Sequence, residues 1–203
     1  MTKVVHVVGN GDWVDLYNRE ERKGLKLACN LPPFHIGKGH YATCMVDFKF
    51  MAALREGSVY VHGDWVLGYR PKIWMDRHPE FYMKTASHVK EFYTELPKYA
   101  PNYTDFNCGH MAVHYACNKL KADVVHMYGF DSIFDFNLRS KSDFILNSDR
   151  ENMNNNRLAS NWRPIWTGLW HEFKNTEFIL HHFHGDFKVK HPDNVKAKIY
   201  SRK

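Results

Sequence analysis

No stretch of the 203 residues approaches the roughly 18 consecutive apolar positions that a membrane-spanning helix requires. A membrane span is therefore not expected. The first residues, Met1 to Val8, lack the basic-then-apolar layout of a secretory leader, so the expected location is the cytoplasm. Cysteine is scarce: Cys29, Cys44, Cys108 and Cys117 stand far apart, with no Cys-x-x-Cys pair. This spacing excludes a disulfide framework and a zinc ribbon, and it predicts reduced, mostly buried thiols. A long-period repeat is also missing. The echo of Gly11-Asp12-Trp13-Val14 in Gly63-Asp64-Trp65-Val66 is too short to mark one.

Acidic residues are the deficient charge, 22 against 28 Lys and Arg, for a net charge of +6. Such a balance favours anionic partners: nucleotide phosphates, nucleic acid or acidic glycans. Part of the excess lies in Lys188, Lys190, Lys196, Lys198, Arg202 and Lys203. Residues 188–203 read as a solvated basic tail, with a phosphate-backbone contact as the alternative. What the chain has in quantity is apolar surface, 44% hydrophobic and 15% aromatic residues, enough to offset the entropy of folding. Its length suits one domain, residues 1–187, ahead of the tail.

Lys3 to Val8 is β-branched and almost wholly apolar, as in a strand covered on both faces. Gly9-Asn10-Gly11 ends it, and Asp12 is placed to cap a helix beginning at Trp13. Strands follow at Leu25 to Asn30, Tyr41 to Asp47, Ser58 to His62 and, shorter, around Lys72 to Met75. A helix occupies Phe48 to Arg55. Residues 77–105, interrupted by Pro79, Pro97 and Pro101, read as an insertion with helical character from Tyr82 to Leu96. An apolar helix from Cys108 to Cys117 precedes a strand, Val124 to Gly129, whose end places Asp131 at the sheet edge. Residues 132–156 read as a long mobile loop, Arg157 to Phe173 as a Trp-rich helix, and Glu177 to Phe183 as the last strand. Strands separated by short helices predict a doubly wound, mostly parallel, Rossmann-like α/β sheet in a single domain.

In such sheets a ligand lies beyond the carboxyl ends of the strands. Those ends carry Gly9, Asn10, Gly11 and Asp12, then Asn30, Asp47 and Asp131. Small, amide and acidic residues of this kind grip a ribose, a base edge and a phosphate. Glycines 9 and 11 would let backbone N–H groups approach a phosphate at a helix start, although two glycines after a strand also make an ordinary turn. Asn107-Cys108-Gly109 opens another helix and offers a second set of N–H donors, or Asn107 merely caps it. His110 and His114 lack the glutamate of a zinc-protease helix and read as packing residues, and His181 and His182 point to opposite faces of their strand. Trp162, Trp166 and Trp170 share one helical face, read as core, with stacking on a sugar or base as the alternative. Arg157 and Arg163 nearby keep nucleic acid open as an acceptor.

The ordered series Gly9-Asn10-Gly11, Cys29-Asn30, Asp47, Cys108-Gly109 and Gly129-Phe130-Asp131 resembles the bacterial sialyltransferases that modify lipooligosaccharide, with the related motility-accessory and pterin-pyrophosphokinase-like proteins. There a first strand ends in Gly-Asn-Gly-Pro-Ser, a second in Cys-Asn, a third in Asn or Asp, and a Ser-Gly helix precedes a strand ending Gly-x-Asp. The likeness covers residues 3–55 and 103–135. It implies a GT-A-like variant of the sheet, a nucleotide-sugar donor on Asn10, Gly11 and Asn30, and the donor's base and ribose on Asn107, Cys108 and Gly109. It also implies transfer to a hydroxyl acceptor, a glycan or, given the basic charge, a modified DNA base. Three elements of the pattern differ. Pro-Ser becomes Asp12-Trp13, an arginine becomes Asp105, and a phosphate-steadying tyrosine is replaced around Ile133-Phe134.

The leaving nucleotide must then be neutralised otherwise. A divalent cation, Mg or Mn, on Asp131 or Asp135 is one route, and Arg139, Lys141 or Arg157 is the other. The base activating the acceptor is Asp47, Asp131 or a histidine. Two rivals stand beside the transferase: an ATP-dependent pyrophosphokinase or nucleotidyltransferase on the same scaffold, and a non-catalytic nucleotide- or nucleic-acid-binding protein.

Overall fold

The computed structural model describes residues 1–134, 155–183, 187 and 189–201, with only the helical backbone for 155–159. Its eight described strands form one all-parallel sheet: β1 (Val4–Val8), β2 (Leu25–Cys29), β3 (His40–Met45), β4 (Trp65–Leu67), β5 (Val89–Phe92), β6 (Val124–Tyr128), β7 (Glu177–His182) and β8 (Val195–Ile199). Their spatial order is β5-β4-β3-β2-β1-β6-β7-β8. The chain therefore leaves β1 toward one edge, returns to the other side of β1 as β6, and continues outward. That reversal is a topological switch point, where α/β sheets of the Rossmann-like kind open a crevice at their carboxyl ends.

β1 is buried on both faces, as its apolar run predicts. Val5 and Val7 pack on one side into a core shared with α4 (Cys108–Asn118) and the Trp helix, α5 (Asn155–Glu172). Val8 packs on the other with Val14, Leu16 and Tyr17. Those three belong to a 3-10 segment, Asp12–Arg19, in place of the α-helix expected from Trp13. Gly11 caps it, with no side-chain hydrogen bond, so Asp12 does not cap but is its exposed first residue. α1 (Phe48–Glu56) follows β3 as predicted and ends on Gly57 in the left-handed region. Trp162, Trp166 and Trp170 are all buried in α5. Gly168 admits the ring of Tyr99, with which a Cβ at that position would collide.

Four further expectations fail. Ser58 to His62 alternates as a strand should, with Val59 and Val61 buried, yet it pairs with none of the described strands, and Trp65–Leu67 takes the sheet position. Trp65 Nε1 donates to Val61 O at 3.0 Å, so the preceding segment braces the strand. Lys72 to Met75 is helix, not strand. It lies in α2 (Tyr69–Arg77), and its buried Pro71, Trp74 and Met75 have helical spacing. Residues 77–105, expected as an insertion, hold α3 (Pro79–Thr85) and the edge strand β5, so the helix expected to Leu96 stops early. Residues 188–203, expected as a tail, hold β8, whose Val195 is buried while Lys196 and Lys198 reach Glu177 and Glu20, each at 3.1 Å. Among the described residues no helix is long and apolar enough to cross a membrane. The expected loop 132–156 lies largely outside the described residues.

Candidate functional site

A cavity of about 270 Å³ opens at the carboxyl ends of β1 and β6. Gly9, Asn10, Gly11, Asn30, Asp47, Asn107, Cys108, Gly109 and Asp131 all line it, so one cleft gathers nine of the residues singled out in the sequence. Asp12 is not among them. Arg157 lies on α5 with its side chain outside the described residues, as are Asp135, Arg139 and Lys141.

The register brings Val8 level with Tyr128, which lays the loops after β1 and β6 side by side. Gly9 N–H donates to Tyr128 O at 2.7 Å and Gly11 N–H to Gly129 O at 2.8 Å. A Cβ at Gly9 would stand 2.8 Å from Gly129 O, and one at Gly11 would stand 2.7 Å from Asp131 Cγ. These glycines let two loops touch. The phosphate cradle expected from them is not there, because both amides are already bonded within the protein. The start of the 3-10 segment is likewise occupied, since Trp13 N–H donates to Asp131 Oδ2 at 3.1 Å.

What the cleft offers instead is unused acceptors. Asn10 Nδ2 donates to Cys29 O at 2.7 Å, and Asn30 sits in the left-handed region at φ 55°, a conformation asparagine tolerates better than most residues. Asn10 Oδ1 and Asn30 Oδ1 are buried and, among the described residues, have no donor. A buried, unpaired amide oxygen costs about 1–3 kcal/mol, which a ligand O–H or N–H would relieve. The buried indole N–H of Trp162, another lining residue, also lacks a partner among the described residues.

α4 begins with a capping box: Asn107 Oδ1 accepts from His110 N–H at 2.9 Å, and Asn107 N–H donates to His110 Nδ1 at 3.1 Å. Since Nδ1 accepts, the ring proton belongs on Nε2, where it donates to Trp162 O at 3.2 Å. Burial holds this histidine neutral, its pKa lowered to about 3. The cap leaves the first two N–H groups of the helix, on Cys108 and Gly109, at the cleft wall with no partner among the described residues. The Cys108 thiol donates to Cys44 O at 2.9 Å, and burial pushes its pKa well up, so it is a strut and not a nucleophile. Gly109 is close-packed: a Cβ there would stand 2.7 Å from the Phe130 ring.

Four lining side chains were not singled out in the sequence: Arg70, which pairs with Asp47, and Thr104, Phe130 and Ser132. Arg70 Nη2 meets Asp47 Oδ1 at 2.9 Å, and Arg70 is the single cation lining the cleft among the described residues. It follows β4, so placing that strand at residues 58–62 hid it. Trp162 and Trp166, read chiefly as core, are both buried and both line the cleft. Behind Asp131, the buried His182 brings Nε2 within 3.7 Å of Asp131 Oδ1 and stacks on Phe134 at 3.9 Å between ring centroids.

No group of three or more His, Cys, Asp or Glu side chains that could hold a metal ion occurs among the described residues. The expected pair Asp131 and Asp135 is half outside them. No family model, curated protein or solved structure matches the chain.

Proposed function

We propose that the chain is a nucleotide-sugar-dependent glycosyltransferase, a GT-A-like single domain that moves a sugar from a donor in the switch-point cleft to a hydroxyl of a glycan or of a modified DNA base. The observation that carries this is the pair of buried, unpartnered amide oxygens, Asn10 Oδ1 and Asn30 Oδ1, in a cleft walled by Trp162, Trp166 and Phe130. Acceptors beside ring faces suit a ligand rich in hydroxyls and bearing a base. A triphosphate needs many donors, and the loop after β1 has already spent Gly9 and Gly11 N–H on carbonyls. That favours a nucleotide-sugar over ATP. The Arg70 guanidinium and the N–H groups of Cys108 and Gly109 supply positive charge for the leaving nucleotide.

Transfer then proceeds by direct displacement. The acceptor oxygen bonds to the anomeric carbon as the bond from that carbon to the nucleotide phosphate oxygen breaks. The acceptor proton passes to Asp131, and the electron pair of the broken bond leaves with the nucleotide. Asp131 is assigned the base because it stands at the switch point, between the loops after β1 and β6, while Asp47 pairs with Arg70 at the cleft wall.

Incubation of the full chain with UDP-, GDP- and CMP-sugars labelled in the sugar, against oligosaccharides and hydroxymethylated DNA, is expected to give label transfer from one donor class. ATP turnover without transfer from any donor would replace this assignment with a pyrophosphokinase. Neither activity, with nucleotide still bound, would leave a binding protein.

A further inference from the structure

A second cavity, about 720 Å³, lies at the opposite end of the sheet, beside the amino ends of β2 and β3. The end of the 3-10 segment, the turn at Arg22 to Gly24 and the loop at Ile36 to Gly39 wall it. Lys26, on β2, stands in register with His6 of β1 and is only 5% exposed. Its Nζ donates to Lys38 O at 2.7 Å, and Lys26 makes no ion pair among the described residues. The loop is folded around this ammonium: Gly39 has φ +86°, and a Cβ there would stand 3.2 Å from Nζ. Lys26 N–H, in turn, donates to Gly39 O at 2.9 Å.

A buried ammonium with two N–H donors to spare is costly unless something answers its charge. Burial lowers the Lys26 pKa, and Lys38 adds to that effect, while Glu21 opposes it. The neighbourhood is cationic. Arg19, Arg22, Lys23, Lys26 and Lys38 line the cavity against Glu20 and Glu21. Glu20 is already shared by Arg22 and Lys198, each at 3.1 Å. Arg22 is held by the carbonyls of Tyr17 and Leu16, which fixes its charge at the cavity wall.

We propose that this cavity is an anion site taking a phosphate group, with Lys26 Nζ donating from within and Lys23 and Lys38 closing on it from the rim. Excess positive charge on several sides fits a doubly charged phosphate better than a single carboxylate. The group comes either from a small free phosphate or from a nucleic-acid backbone. The site is separate from the cleft and independent of the transfer chemistry.

Calorimetric titration of the full chain at low salt, with inorganic phosphate in one arm and a single-stranded oligonucleotide of about 12 nucleotides without terminal phosphate in the other, separates these sources. At least one arm is expected to bind saturably. Lys26→Met is expected to weaken that binding about tenfold or more. Without anion, Lys26→Met should melt no lower than the parent, since an apolar replacement removes an unanswered charge. The surface pair Lys23→Glu with Lys38→Glu tests the site without touching buried groups and should also abolish binding. Binding in neither arm, or binding retained by both variants, would overturn the proposal.

Discussion

Asp131→Asn is expected to slow sugar transfer by roughly 10²–10⁴-fold, the span a general base supplies, while donor affinity stays within about threefold. The substitution keeps shape and leaves an amide oxygen to accept from Trp13 N–H, so the start of the 3-10 segment and the contact between the two loops persist. What it removes is the capacity to take a proton at the switch point. Asp131 is buried at the cleft, with His182 behind it at 3.7 Å. Asp47→Asn should behave differently. That change releases Arg70 from its 2.9 Å partner, so its effect should fall on KM through donor binding. Steady-state kinetics on both variants separate the roles. A kcat for Asp131→Asn within tenfold of the parent would remove this carboxylate from proton transfer.

Acid should unfold the protein over a narrow range. Several buried histidines are held neutral in the fold. His6 is lowered to about 4, by burial first and then by His126, Lys26 and Arg22, against a hydrogen bond to Lys23 O. His110 is lowered to about 3 by burial. His181 is lowered to about 2 by burial, then by His126, Arg22 and Lys198. His126 Nδ1 meets His181 Nε2 at 2.8 Å, and His181 Nδ1 meets the Tyr200 hydroxyl at 2.8 Å. A charge on either ring would be buried and set beside the other ring, Arg22 and Lys198.

In the unfolded chain each of these rings takes up a proton near pH 6.5. The unfolded state therefore binds more protons below that pH. The stability they contribute is complete above 6.5 and is lost as pH falls toward the folded values, at up to about 1.4 kcal/mol per pH unit for each ring. Three rings lose about 4 kcal/mol per unit. Against a typical total of about 5–15 kcal/mol, cooperative loss of circular dichroism is expected between about pH 3.5 and 5. Native signal persisting at pH 3, or a rise in melting temperature on acidification, would contradict the assignment of these rings as buried and neutral.

The parts of the fold that are legible in the sequence are those where one interaction dominates. β1 is covered on both faces and reads as an unbroken apolar run; α4 is buried nearly all round and reads as one apolar helix. The loops after β1 and β6 carry their residues into the cleft because the parallel register lays them side by side, and the start of α4 adds Asn107, Cys108 and Gly109. Edge strands are less legible. β5 and β8 are half exposed, and their mixed polarity resembles solvated helix or tail.

Ser58 to His62 misleads for a different reason. Its alternation is real, but it comes from packing Val59 and Val61 under Trp65 and Met45 without ladder hydrogen bonds. Arg70 was lost with that misplaced strand end. The glycines of the first loop show a further limit. Sequence reveals that a close approach occurs at Gly9 and Gly11, but not that the approaching atoms are Gly129 O and Asp131 instead of a phosphate. Which donors are already spent depends on a loop more than 100 positions away, Gly11 meeting Gly129.

The most direct measurement is titration of the full chain with UDP-, GDP- and CMP-sugars, followed by tryptophan emission, because Trp162 and Trp166 line the cleft. One donor class is expected to shift the emission saturably with a Kd between about 1 μM and 1 mM, and Asn30→Leu is expected to abolish the shift. No saturable change with any donor, or an undiminished change in Asn30→Leu, would contradict a nucleotide-sugar site between β1 and β6.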